Sequence, residues 1–138
     1  MVKPIEVIVA RDVKYGIGLD GRIPWRCKDD MMHFKTVTTE RDDFTKRNAV
    51  IMGRKTWESL KGKPLVDRLN ICLSSSPQTI VTCSSIERAI TYCNENPVVE
   101  KIFIIGGERV YRDALTFYPV SRVWMTVIKR EFPTDRNV

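Results

Sequence analysis

The chain has 138 residues, 43% apolar and 29% charged, a single-domain length that is too apolar for disorder and can bury roughly two-thirds of the surface its unfolded form exposes. Its apolar runs reach only about five residues against the roughly 20 that span a bilayer, and Met1-Val2-Lys3-Pro4 leads into no signal-peptide core, so a cytoplasmic or nuclear protein is expected. The net charge of +6, from 23 basic and 17 acidic residues, favours anionic partners, but the cations form no block, zinc-finger or basic-zipper pattern, which ranks nucleic acid below phosphorylated small molecules.

Ile5 to Ala10 is β-rich and opens into Gly16-Ile17-Gly18-Leu19-Asp20-Gly21, whose glycines predict a mobile loop that closes on Ile23-Pro24-Trp25. Met31, Phe34 and Thr38 then recur at helical spacing behind Asp29 and Asp30, predicting a helix from about Lys28 to Thr38 with acids in its first turn. A polar stretch, Glu40 to Asn48, precedes a strand at Ala49 to Met52 and a short helix at Arg54 to Leu60 that Lys61-Gly62-Lys63-Pro64 ends. Further strands are expected at Leu69 to Ser74, Ile80 to Thr82, Lys101 to Ile105 and Val123 to Ile128. Between them, Ile86, Ala89, Ile90 and Cys93 mark the inner face of one helix, and Val110, Ala114 and Leu115 that of another.

Strands that read as continuous apolar runs, alternating with helices, imply an α/β fold. Its mainly parallel sheet would be covered on both faces and would bind ligands beyond the carboxyl ends of its strands. Cys27, Cys72, Cys83 and Cys93 show no Cys-x-x-Cys spacing, and His33 is the only histidine. Free thiols and no metal site are therefore expected.

Two apolar runs end on glycine and lead into basic residues: Val50-Ile51-Met52-Gly53-Arg54-Lys55-Thr56 and Ile104-Ile105-Gly106-Gly107-Glu108-Arg109-Val110-Tyr111. Each could seat a phosphate on the N–H groups of the helix that follows, and two such seats on one sheet suggest a dinucleotide. The first could equally be a plain turn with two solvated cations. The paired glycines of the second point more strongly to close approach of another group. Asp30 is open in the same way: an exposed first-turn acid, or a carboxylate walled in by Trp25 and Phe34 that needs a donor-rich ligand such as an amidine-like ring edge.

Taken together, Ile23-Pro24-Trp25 with Asp30 and Phe34, the Val50 to Ser59 run, Pro64-Leu65 with Arg68-Leu69-Asn70, Leu73-Ser74-Ser75, Ile104 to Tyr111 and Thr126 closely resemble dihydrofolate reductase in order and spacing, over nearly the whole chain. The resemblance implies a single three-layer domain over residues 1–138, with an adenosine-binding part at about 48–100. It implies NADPH-dependent reduction of 7,8-dihydrofolate to tetrahydrofolate, serving one-carbon metabolism, and antifolate binding. A monomer is expected, or part of a larger chain with thymidylate synthase.

By the same resemblance Asp30 bonds the 2-amino group and N3 of the pterin, Thr126 supports it, and Ile23 and Trp25 belong to the catalytic surroundings. Ile8, Val9, Ala10, Met31, Phe34, Ile105 and Tyr111 would line the pterin pocket, with Leu60 near the benzoyl group and Arg68 on the substrate's α-carboxylate. Ala10, Ile17 and Gly18 would lie at the nicotinamide. Gly53, Arg54, Lys55 and Thr56 would hold the pyrophosphate and, with Leu73, Ser74 and Ser75, the adenosine 2′-phosphate. Gly106 and Gly107 would form a cis peptide beside the cofactor, followed by Glu108, Arg109 and Val110. Ser84 stands where some relatives carry a cation, leaving the NADPH preference to Arg54 and Lys55.

Asp135 matches the acid that opens the family's last long loop, and the sequence lacks the closing strand pair. The strand at Val123 to Ile128 is then expected to be an exposed edge, with lowered stability. Two alternatives remain at this level: a non-catalytic folate, NADPH or RNA binder, and a related pterin or pyrimidine reductase.

Overall fold

The structure, a computed structural model, describes residues 2–12, 16–17 and 28–128, with side chains described for 2–10 and 31–126. Among the described residues, seven strands and four helices follow one another as β1 (Ile5–Asp12), β2 (Gly16–Ile17), α1 (Lys28–Thr39), β3 (Arg47–Gly53), α2 (Arg54–Ser59), β4 (Leu69–Leu73), β5 (Val81–Cys83), α3 (Ile86–Glu95), β6 (Val99–Gly106), α4 (Glu108–Phe117) and β7 (Val120–Ile128). The sheet runs β7-β1-β6-β3-β4-β5, and every pairing along it is parallel. Only β2 is antiparallel, through Arg11↔Ile17 and Asp12↔Gly16.

Alternation along the strands sorts the core into two faces. Val7, Val9, Ala49, Ile51, Ile71, Ile102 and Ile104 point to one side, where Ala89, Ile90 and Cys93 of α3 and Tyr111 and Ala114 of α4 cover them. Ile8, Ala10, Val50, Met52, Cys72, Phe103 and Ile105 point to the other, under Phe34 and Val37 of α1 and Trp57 of α2. Burial on both faces is why these strands show unbroken apolar runs in the sequence.

Several expectations shift. Gly16–Ile17 is a short strand rather than part of a structureless loop, because β1 offers it free backbone groups at Arg11 and Asp12. Residues 18–27, which include Gly18, Ile23 and Trp25, lie outside the described residues. Met31 is 52% exposed, and the inner stripe of α1 is Phe34, Val37 and Thr38 instead. Leu115 likewise faces solvent, and Tyr111 takes the inward place on α4. The expected edge is present among the described residues: β7 pairs only with β1, and Val123 and Met125 are exposed.

Cys72, Cys83 and Cys93 are free thiols. Burial pushes Cys93 up to about 12, so it stays protonated on the inner face of α3. Asn48, fully buried, ties the layers together: its Nδ2 donates to Thr38 O at 3.0 Å and Glu40 O at 2.8 Å, and its Oδ1 accepts from Lys101 N at 3.2 Å.

The central strands part company partway along. β1 and β6 pair at Ile5↔Ile102, Glu6↔Phe103 and Val7↔Ile104 and then separate. Across the opening, the buried Tyr111 hydroxyl shares its proton between Ile8 O at 3.0 Å and Ile105 O at 2.8 Å. Burial raises its pKa, which keeps it a donor. Tyr111→Phe removes the one donor that, among the described residues, these two carbonyls share across the gap. We expect a loss of roughly 1–3 kcal/mol, read as a lower urea midpoint at unchanged slope; an unchanged midpoint would show that the bridge carries no stability.

Candidate active site

The opening between β1 and β6 lies at the carboxyl ends of the parallel strands, where open α/β sheets bind ligands. Both glycine-terminated strands end there, side by side, since Met52 of β3 is in register with Gly106 of β6. The Gly106–Gly107 peptide is cis, as expected.

Gly106 has φ +135°, a conformation that disfavours any side chain, and a Cβ on it would stand 3.2 Å from Thr56 Oγ1 and 3.4 Å from the Tyr111 hydroxyl. A Cβ on Gly53 would meet Val110 Cγ2 at 3.4 Å and the Gly107 nitrogen at 3.8 Å. The two turns therefore lie back to back, with Gly53 as the N-cap of α2 and Gly107 as that of α4. Neither cap has a side-chain hydrogen bond, so the first-turn N–H groups of both helices lack a side-chain cap.

Cations surround these turns. Arg54 Nε lies 3.3 Å from Glu58 Oε2, with both side chains more than half exposed. Lys55 and Arg109 are exposed and make no ion pair among the described residues. Glu108 is held by Arg112 Nη2 at 3.2 Å. Thr56 is buried, and Leu73, paired with Gly53, carries the chain into Ser74 and Ser75 at the next strand end.

A second set of groups lies along α1. Asp30 occupies its first turn, although the Asp30 side chain is outside the description. Thr126, half-buried on β7, sits in register with Ala10 of β1, and Ile8 and Ile105 line the wall between β1 and β6. Leu60 packs against the same apolar cluster as Phe34.

At the other end of α1, Arg68 is only 6% exposed. Its Nη1 donates to Thr38 Oγ1 at 3.0 Å and its Nε to Val66 O at 2.8 Å, while its guanidinium lies 6.0 Å from the Phe34 ring centre. Burial pulls its pKa below the ordinary arginine value, but an arginine remains charged. Nη2 has no partner among the described residues. A buried cation with spare donors calls for an acceptor, and a carboxylate fits the fork best. From Asp30 to Thr38 is eight residues of helix, or roughly 12 Å.

Of the residues singled out in the sequence, the structure thus brings together Gly53, Thr56, Gly106, Gly107, Val110 and Tyr111. It sets Phe34 beside Arg68, and Ala10 beside Thr126. It does not place Gly18, Ile23 or Trp25. Sequence reasoning missed Thr38 as a partner of Arg68, because a threonine at the inner spacing of a helix reads as filler.

The family model "Dihydrofolate reductase" matches residues 4–138. Dihydrofolate reductase of Candida albicans is 41% identical over 96% of this chain and 73% of its own length, and that of Drosophila melanogaster 38% identical over 94% and 75%. The bifunctional dihydrofolate reductase-thymidylate synthase of Daucus carota is 42% identical over 94% of this chain, which spans only 27% of that longer protein. Among solved structures, Schistosoma mansoni dihydrofolate reductase superposes with a TM-score of 0.80 at 41% identity, over 95% of this chain and 76% of the other. With the parallel sheet, the paired glycine turns and the buried arginine already in view, the chain belongs to the dihydrofolate reductase family.

Proposed function

We propose that this chain reduces 7,8-dihydrofolate to 5,6,7,8-tetrahydrofolate at the expense of NADPH. The observation that carries the reading is the opening between β1 and β6, with two side-chain-free helix starts on one flank and a buried arginine with spare donors along α1 on the other. A ligand with a donor-rich head near Asp30 and a carboxylate at Arg68 would lie along α1. A phosphorylated ligand would lie across the glycine turns.

The residues fit the dinucleotide. Gly53 and Gly107 cap α2 and α4 without a side-chain hydrogen bond, which leaves first-turn N–H groups for a pyrophosphate, with the exposed Arg54, Lys55 and Arg109 adding charge. The adenosine part would lie over residues 48–100, and the nicotinamide near Ala10, Ile17 and Gly18. When bound, NADPH supplies the hydride that C6 of the pterin receives.

The chain's own groups do the rest. The Asp30 carboxylate accepts hydrogen bonds from the 2-amino group and N3, which orients and polarises the ring, and Thr126 beside Ala10 supports it. Water delivers the proton to N5. Arg68, fixed by Thr38 and Val66, holds the α-carboxylate bidentately. Positioning supplies most of the rate, since the hydride donor brings its own reactivity. The same assignments serve a free-standing reductase or the reductase part of a fused chain like the carrot relative.

Asp30→Asn is expected to lower turnover near neutral pH by roughly 10²–10⁴-fold, followed as loss of NADPH absorbance with dihydrofolate; an unchanged rate would remove Asp30 from this role. Arg68→Gln should instead raise KM for dihydrofolate by about 10–100-fold, with KM for NADPH little changed. Equal losses for both would place Arg68 in the scaffold and not in the substrate site.

A further inference from the structure

At the margin of the sheet away from β7, beyond the carboxyl ends of β4 and β5, an open groove is lined by Ser74, Ser75, Ser76, Ser84, Arg88 and Tyr92 among others, and by no carboxylate. Its walls are fixed. Ser74 N donates to Cys83 O at 3.0 Å, tying the residue after β4 to the end of β5. Ser85 Oγ accepts from Arg88 N at 3.1 Å, which holds the first turn of α3 at the rim.

The groove's chemistry is hydroxyls, one aromatic wall and one cation. Ser74 Oγ accepts from Ser76 N at 3.1 Å, whereas the hydroxyls of Ser75 and Ser84 and the guanidinium of Arg88 have no hydrogen bond or ion pair among the described residues. Arg88 also borders a second hollow with Glu87 and Glu95, and pairs with neither. Unpaired donors around a cation suit a phosphate monoester.

Position points the same way. Gly53 is in register with Leu73, so the groove begins one strand away from the α2 turn. It lies between two and three strand spacings from Gly106–Gly107, roughly 10–14 Å at about 4.8 Å each, the scale of an extended dinucleotide. Arg54, to which the resemblance assigns the 2′-phosphate, shares its charge with Glu58 in an exposed pair at 3.3 Å, whereas Arg88 has no such partner among the described residues.

We propose that Arg88 is a specificity-determining residue whose guanidinium, with the Ser75 and Ser84 hydroxyls, holds the 2′-phosphate on the adenosine half of the cofactor. The assignment rests on the NADPH reading given above. It adds α3 to α2 as a source of the discriminating charge, and it accounts for a serine at position 84 without loss of a cation.

The test is calorimetric binding of 2′,5′-ADP and of 5′-AMP to the full chain, which needs no turnover. The wild-type chain should prefer 2′,5′-ADP. Arg88→Gln should weaken 2′,5′-ADP by about tenfold or more while leaving 5′-AMP unchanged, and Arg88→Lys should recover part of the difference. Because Arg88 is exposed, an unchanged melting temperature should accompany the loss. A 2′,5′-ADP affinity unaltered in Arg88→Gln would overturn the assignment and return the selection to Arg54 and Lys55. Equal loss of both nucleotides would overturn it as well, by making Arg88 part of the general frame. If wild-type protein binds neither nucleotide, nor NADPH itself, the cofactor reading fails, and the role of Arg88 fails with it.

Discussion

One hydroxyl group holds the middle of this protein together where its sheet comes apart. A parallel sheet satisfies its backbone by continuous ladders, yet β1 and β6 stop pairing after Val7 and Ile104. Among the described residues the β1–β6 ladder no longer serves the carbonyls of Ile8 and Ile105 beyond that point, and a buried carbonyl left without a donor is costly. Tyr111 reaches up from α4 and serves both. Gly106 lies over this tyrosine with φ +135°, which disfavours any side chain, and a Cβ there would crowd Thr56 Oγ1 at 3.2 Å and the Tyr111 hydroxyl at 3.4 Å. The tyrosine, the glycine and the split are thus one constraint seen from three places.

That constraint also explains why the two glycine-terminated strands differ in what they contribute. Gly53 caps α2 with an ordinary extended backbone, and the loss of a side chain there mainly spares Val110 and the Gly107 nitrogen. Gly106 has a conformation only glycine adopts easily, directly above the tyrosine. The first turn leaves the start of α2 without a side-chain cap; the second lies at the end of the opening between β1 and β6. Beside them Lys55 and Arg109, and farther along the sheet Arg88, have no ion pairs among the described residues. A net charge of +6 favours anionic partners in general.

Much of the fold was legible because burial on both faces writes strands as apolar runs, which is why β1, β3, β4 and β6 stand within two residues of their expected ends. Pairings made only in three dimensions were not legible. β2 is two residues long, one of them glycine, and exists because β1 has unpaired groups beside it. Met31 has the right helical spacing for the core, but the buried stripe of α1 begins a turn later at Phe34, so the residue stays in solvent. The burial of Arg68 could not be read from a polar loop, since it depends on Thr38, thirty positions earlier. Arg88 and Tyr92, one helical turn apart, look like a solvated face until α3 packs beside β5 and turns them toward a groove.

The most direct test of the central claim is hydrogen exchange of the backbone amides with and without saturating NADPH. Slower exchange is predicted at the first turns of α2 and α4, over Arg54–Thr56 and Glu108–Val110, and at Ser74 and Ser75, with α3 beyond its first turn unaffected. Unaltered exchange at both helix starts, in protein that remains folded, would contradict the account.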